Sequence, residues 1–308
     1  MTVTVLLPVY NGATTLRQAL DSILAQDDSD FELLVIDDGS TDTSSAIIEE
    51  YARHEPRITA VRHECNIGLA ATLNEGLERA RNELIVRMDQ DDESLPTRLR
   101  VQRTYMDANP AVAAAGSWVL HMGAQPEFDR LVELPTTSRE IASVIQRENC
   151  FYHPSMIMRR SVIRELGGYR REFRNAEDYD LWLRLSREHD LANIPIPLLR
   201  YRFSIGGMTL GRKWEQLYYV HLAQASNGDV SMTLPDAESV ARSTLAGISR
   251  RWFMSQVAEG TVSELVKLRH WAEAFKVSTQ LRNELGPIVA GKLIGFVARE
   301  YARSWKAA

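Results

Sequence analysis

Carboxylates recur in this chain where an apolar run ends: Asp37-Asp38 after Glu32-Leu-Leu-Val-Ile36, Asp89, Asp91 and Asp92 after Leu84-Ile-Val-Arg-Met88, and Glu177-Asp178 further on. Acids gathered at the carboxyl ends of strands repel one another unless a cation or a hydrogen-bonding ligand compensates. Asp89 and Asp91, two residues apart in one short loop, have the oxygen-rich chemistry that suits magnesium or manganese, which take their remaining ligands from water and phosphate. Asp38, in the run Asp37-Asp38-Gly39-Ser40-Thr41-Asp42, could accept hydrogen bonds from a ligand, although Ser40 or Asp42 could equally serve only to cap the next helix. Asp178, beside Glu177 at a helix start, could act as a general base toward a hydroxyl; plain acidity at the positive end of a helix is the competing account. His153, before Pro154, is either a site residue or a satisfied histidine at a strand entry.

Positioning these groups calls for a scaffold that alternates strand and helix, and residues 3 to about 120 have that rhythm. Strands are expected at Val3–Leu7, Leu33–Ile36, Ile58–Arg62 and Leu84–Met88, with a fifth within Ala111–Leu120. Between them, Leu16, Leu20, Ile23 and Leu24 keep helical spacing after a cap at Thr14 or Thr15, a second helix runs to about Ala52, and a third covers Leu69–Ala80. Pro96 suits a first helical turn, and Asn109-Pro110 stops that helix. Short βα units imply a parallel sheet. Residues 121 to 205 are less regular, with an apolar stretch at Ser155–Met158, a Gly167-Gly168 turn and a helix from Glu177 anchored by Leu181, Trp182 and Leu185. From Arg212 onward helical spacing dominates, and Trp214, Tyr218, Trp252, Trp271 and Trp305 have the look of packing aromatics.

At 308 residues, 44% hydrophobic and with a net charge of -5, the chain is long enough for one large domain and an appendage and carries no global basic field for nucleic acid. Its two cysteines, Cys65 and Cys150, fit no metal spacing and are expected to be free thiols in a reducing cytosol. No apolar stretch approaches the ~20 residues that span a bilayer.

Taken together, Val5-Leu-Leu-Pro-Val-Tyr-Asn-Gly12, Leu20-Asp-Ser-Ile-Leu-Ala-Gln26, Val35-Ile-Asp-Asp-Gly-Ser-Thr-Asp42, Asn66-Ile-Gly-Leu69, Arg87-Met-Asp-Gln-Asp-Asp92, His153-Pro-Ser155 and Ala176-Glu-Asp-Tyr-Asp-Leu-Trp182 occur in an order that resembles family 2 glycosyltransferases. The resemblance covers about residues 1 to 205. It implies a GT-A fold, a nucleoside-diphosphate sugar donor (UDP is expected), a divalent cation, Mn2+ or Mg2+, and inversion at the anomeric carbon. Carried over, Pro8, Val9 and Tyr10 would lie beside base and ribose, Asp38 would bond the base, and Asp89 would contact ribose or metal-bound water. Asp91 would be the direct metal ligand with Asp92 behind it, Asp178 the catalytic base with Glu177 in support, and His153 close to the acceptor. Many relatives have Tyr-Arg-x-His where Tyr201-Arg-Phe-Ser204 stands here, which leaves a third protein ligand open; the Gln-x-x-Arg-Trp motif of processive synthases is absent. The resemblance further implies a glycan or lipid-linked acceptor in bacterial surface polysaccharide synthesis.

The domains expected are a GT-A catalytic domain over 1–205, with nucleotide-sugar binding in 1–120 and the acceptor part in 121–205, and a helical region over 206–308. A sugar nucleotidyltransferase would use a similar sheet, but Pro8–Gly12 lacks the basic residues of its triphosphate loop; a non-catalytic binding module would have no use for Asp178. In the tail, Leu293, Phe296, Val297 and Tyr301 share a helical face, with Lys292, Arg299, Arg303 and Lys306 nearby. That face either packs on the protein or makes a peripheral contact at the inner surface of the membrane, in an otherwise cytoplasmic enzyme.

Overall fold

The computed structural model describes residues 2–202, 210–226, 234–280 and 287–306. The sheet begins with β1 (Val3–Val9), β2 (Phe31–Asp37), β3 (Ile58–Arg62) and β4 (Leu84–Arg87), linked by α1 (Leu16–Leu24), α2 (Ser44–His54) and α3 (Leu69–Arg79). β1 and β2 are buried along their whole length, which is why they read as unbroken apolar runs and not as alternating ones. The helices are amphipathic: α1 buries Leu16, Ala19, Leu20 and Ile23 on one side. Its start has no side-chain cap, and the Gly12 carbonyl instead accepts from Thr15 N and Leu16 N.

Next come β5 (Glu93–Ser94), α4 (Arg98–Ala108), β6 (Val112–His121), β7 (Arg130–Val132), α5 (Ser138–Val144), β8 (Ile157–Arg159), α6 (Arg160–Glu165), α7 (Glu177–Leu185) and β9 (Asp190–Tyr201). The strand order is β3-β2-β1-β4-β8-β6-β9-β5, with β7 on β6. Pairing is parallel from β3 through β4 and antiparallel where β8 meets β4 and β6. The parallel sheet expected up to residue 120 therefore ends at β4, because β8, later in the chain, enters between β4 and β6. Pro96 also lies before its helix and not in it: its carbonyl accepts Asp27 N while α4 begins at Arg98.

β1 lies between β2 and β4, so the crossovers leave it in opposite directions and a crevice opens at the carboxyl ends of β1 and β4. The loops that follow these two strands, Tyr10–Ala13 and Asp89–Asp92, are therefore neighbours.

Two compact units are present. The first holds the chain to Leu120 and Leu131–Arg202. His121–Arg130 belongs to the second, with α8 (Leu210–Ser226), α9 (Leu234–Ala246), α10 (Arg250–Lys267), α11 (Trp271–Gln280) and α12 (Pro287–Lys306). In that unit Ala124 N donates to Leu268 O, and Glu264 pairs with both His121 and Arg130. Its core joins Ala258, Val262 and Leu265 of α10, Ala274 and Val277 of α11, and Leu293 and Val297 of α12. The apolar stripe of the tail helix is thus covered by α10 and α11, with Phe296 packed against the same cluster and the Tyr301 ring edge-on to Trp271. The side chains of Trp214, Trp252, Trp305 and Lys306, and all of Ser204, lie outside the described residues. No described helix is long and apolar enough to cross a membrane. Cys65 is exposed and Cys150 buried, both free.

Candidate active site

The acids after β2 are held by their own loop. Asp37 Oδ1 accepts Ser40 N at 2.9 Å, and Oδ2 is bonded by the Ser45 hydroxyl. Asp38 is buried; its Oδ1 takes His63 Nδ1 and Ile67 N, both at 2.8 Å, and its Oδ2 takes Gly68 N at 2.9 Å. The other His63 nitrogen meets Glu75 Oε2 at 2.9 Å. Burial alone would lower the His63 pKa, but the two carboxylates outweigh it and raise it. Gly39 makes this arrangement possible: its φ is +71°, and a Cβ there would stand 2.5 Å from the Cys65 backbone.

Pro8 and Val9 are the last residues of β1, in register with Ile36 and Asp37, and Asp38 N donates to Val9 O. Tyr10 is 45% exposed, on the loop that enters the crevice.

After β4 the chain places ligand atoms of Asp89, Asp91 and Asp92 within 4.8 Å of one another. Burial, then repulsion from Asp89, pushes the Asp91 carboxyl up to about 6. Asp92 is deeply buried and raised well above the usual carboxylate range for the same reasons. Its Oδ1 accepts Arg202 N at 2.8 Å, while Oδ2 is buried with no hydrogen-bond partner among the described residues. Three crowded carboxylates and an orphaned buried oxygen are the donor set a hard divalent cation satisfies, so the residues fit such an ion.

Glu177 and Asp178 open α7, Glu177 buried and Asp178 partly exposed. Burial raises both pKa values; Asp178's charge pushes Glu177 further, whereas Tyr179 N, Arg87 and Asn149 hold Asp178 back. Asn149 Nδ2 donates to Asp178 Oδ2 at 3.1 Å. His153 is buried behind them, its Nε2 2.9 Å from Tyr169 Oη and its ring edge-on to Trp182. Burial and the Arg87 charge hold its pKa well below the ordinary value, so the ring is neutral, and the Tyr169 hydroxyl that meets it also donates to Met158 Sδ at 3.6 Å.

Several residues that hold the acids in place were not singled out from the sequence. Arg87, buried within β4, pairs with Asp89 and works against the raised carboxyl pKa of Asp91, Asp92, Glu177 and Asp178 alike; its Nε has no hydrogen-bond partner among the described residues. A cation inside an otherwise apolar strand was the available signal. Arg98, fully buried and pushed down to about 9 by that burial, donates to Arg87 O at 2.6 Å and Pro154 O at 2.7 Å, bracing the acid loop against the His153 loop. Asp180, one turn into α7, pairs with Arg170 and Arg184, and Arg184 donates to Leu166 O and Gly168 O. That network fixes the helix that carries Asp178.

Residues 4–167 match the model of Glycosyl transferase family 2. The chain belongs to this family. It is 32% identical over 240 residues to the amylovoran biosynthesis glycosyltransferase AmsE of Erwinia amylovora, covering 75% of this chain and 89% of that one. Against the Escherichia coli UDP-Gal:alpha-D-GlcNAc-diphosphoundecaprenol beta-1,3-galactosyltransferase it is 29% identical over 204 residues, 65% of this chain and 74% of the relative. Among solved structures, Staphylococcus aureus TarS 1-349 in complex with UDP superposes with a TM-score of 0.58 at 17% identity, over 99% of this chain and 92% of that one. The Pyrobaculum calidifontis mannosyltransferase PcManGT, in complex with GDP-Man and Mn2+, gives 0.58 at 19% identity, over 99% and 83%. This family 2 glycosyltransferase therefore has the GT-A fold expected from its motifs, with a helical C-terminal region.

Proposed function

We propose that this glycosyltransferase moves a sugar from a UDP-sugar donor to a hydroxyl of a glycan or lipid-linked acceptor, with inversion, in bacterial surface polysaccharide synthesis. The observation that carries the reading is the pairing of the Asp89, Asp91 and Asp92 cluster with a partly exposed Asp178 whose carboxylate Asn149 orients. The relatives named above, one in amylovoran synthesis and one acting on a diphosphoundecaprenol-linked sugar, support the acceptor class.

In this reading Tyr10 and the ends of β1 and β2 receive the nucleoside, and Asp91, with Asp89 and with Asp92 behind it, holds manganese or magnesium. When bound, that ion neutralises charge developing on the departing diphosphate. Asp178, with Glu177 in support, accepts the acceptor hydroxyl's proton as the oxygen attacks the anomeric carbon from the face opposite the diphosphate. Arg87, paired with Asp89, offsets part of the rise that burial imposes on the Asp178 pKa. His153, neutral and bonded to Tyr169, supports the acceptor side by packing on Trp182 and not by exchanging a proton.

A thermal-shift panel of nucleotide sugars with and without manganese tests the donor, because a ligand that binds only the folded state raises its stability. UDP-sugars should stabilise the protein in a manganese-dependent manner; stabilisation by another nucleotide alone would reassign the base. Acceptor-dependent release of UDP separates an enzyme from a non-catalytic binding module, and the anomeric configuration of the product tests inversion.

A further inference from the structure

Gln90 stands between Asp89 and Asp91, yet its side chain reaches the neighbouring loop. Its Oε1 accepts Tyr10 N at 2.8 Å and its Nε2 donates to Tyr10 O at 3.1 Å, so one amide group pairs with one backbone residue as an adjacent strand would. The residues that follow are held from the opposite flank. Asn11 N donates to Ser40 Oγ at 3.0 Å, Gly12 N to Ser44 Oγ at 2.9 Å and Ala13 N to Asp42 Oδ2 at 3.0 Å, while Asn11 Oδ1 accepts Thr41 N at 2.8 Å. The Ser40–Ser44 segment thus fastens one side of the Tyr10 loop, and Gln90 fastens the side that faces the acids.

Gly12 carries a second trace of the same contact. Its backbone is not left-handed, so conformation does not demand glycine there. A Cβ would instead stand 2.3 Å from Gln90 Oε1 and 2.4 Å from Gln90 Cδ, and all three of its nearest atoms belong to Gln90. The glycine makes room for the amide.

We infer that Gln90 is a positioning residue that clamps the Tyr10 loop to the acid loop, fixing the spacing between the group that receives the nucleoside and the carboxylates that would hold the metal for the diphosphate. The inference rests on the proposed donor reading. A nucleoside diphosphate spans both loops, and a spacing set before binding spares the ligand the cost of ordering them. Either half of the ligand alone would gain little from it.

The test is a cycle of Gln90→Ala, Gly12→Ala and the double variant, read by calorimetric titration with UDP plus Mn2+ and, separately, with pyrophosphate plus Mn2+. Because the clash at Gly12 is with the far end of a flexible side chain, Gly12→Ala should expel the amide and reproduce Gln90→Ala. Each single variant should weaken UDP about fivefold, the loss expected for partly exposed neutral hydrogen bonds, the double variant should be no weaker than either, and manganese pyrophosphate should bind as before. Additive losses, or an equal loss for pyrophosphate, would overturn the clamp. Thermal stability without ligand gives an independent reading: Gly12→Ala should lower Tm when Gln90 is present and leave it unchanged in the Gln90→Ala background. If the wild type fails to bind UDP, the donor reading falls, and this unliganded cycle still decides whether the clamp exists; equal Tm costs in both backgrounds would refute it.

Discussion

Replacing Asp91 by asparagine should stabilise the protein when no metal is present. The Asp91 carboxyl is pushed from 3.8 to about 6 by burial and by its neighbour Asp89. At about 1.4 kcal/mol per pH unit, that displacement corresponds to roughly 3 kcal/mol of charge held against its preference at neutral pH. Asp91 is partly exposed, and solvent screening brings the expected gain down to about 1–2 kcal/mol. Proton linkage fixes the sign: the folded protein keeps this proton to higher pH than the unfolded chain does, so wild-type stability falls as pH rises from about 4 to about 6 and is level above. The asparagine amide has no such proton to lose. In chelator at pH 7.5, scanning calorimetry should therefore show Asp91→Asn melting higher than wild type by a few degrees, at about 2–4 °C per kcal/mol for a domain of this size, with a gap about half as large at pH 5. Saturating UDP and manganese should reverse the order, because wild type gains about 2.7 kcal/mol at one hundred times Kd and the variant gains nothing. Equal or lower stability of Asp91→Asn in chelator would refute the claim that the triad is strained in favour of a cation.

Asp178→Asn should lower kcat by at least about 10²-fold, the usual lower contribution of a general base, with UDP affinity unchanged in calorimetry. In wild type, activity should rise with pH through the elevated Asp178 pKa; Asn149→Ala removes a hydrogen bond that favours the ionised form, so the acid limb of the kcat profile should move to higher pH. Asp180→Ala leaves Arg184 buried and without its carboxylate, and denaturant unfolding should show a loss of about 3–5 kcal/mol.

Strand ends and acid clusters were legible because buried parallel strands read as apolar runs, and β2 ends on Asp37 while β4 ends at Arg87, two residues before Asp89. The place of β8 was not: a three-residue strand has no period of its own, and its position is decided by the edges of β4 and β6, laid down much earlier in the chain. Arg98 was equally opaque, since the carbonyls that satisfy it belong to Arg87 and to Pro154, 56 residues away. Asp38 shows the subtler gap. Its place after β2 was clear, but its three protein partners come from a loop and a strand end that only the fold brings to it.

That Asp38 arrangement bears on any attempt to change the nucleotide the enzyme accepts. One carboxylate anchors Ile67, Gly68 and His63, and through His63 the helix carrying Glu75, so its replacement would release the wall of the crevice along with any contact to the base. The side chains of Tyr10, Ile67 and Leu69, by contrast, are exposed. Altered base preference is therefore more accessible by varying those three surface side chains on an intact frame than by redesigning the acid itself.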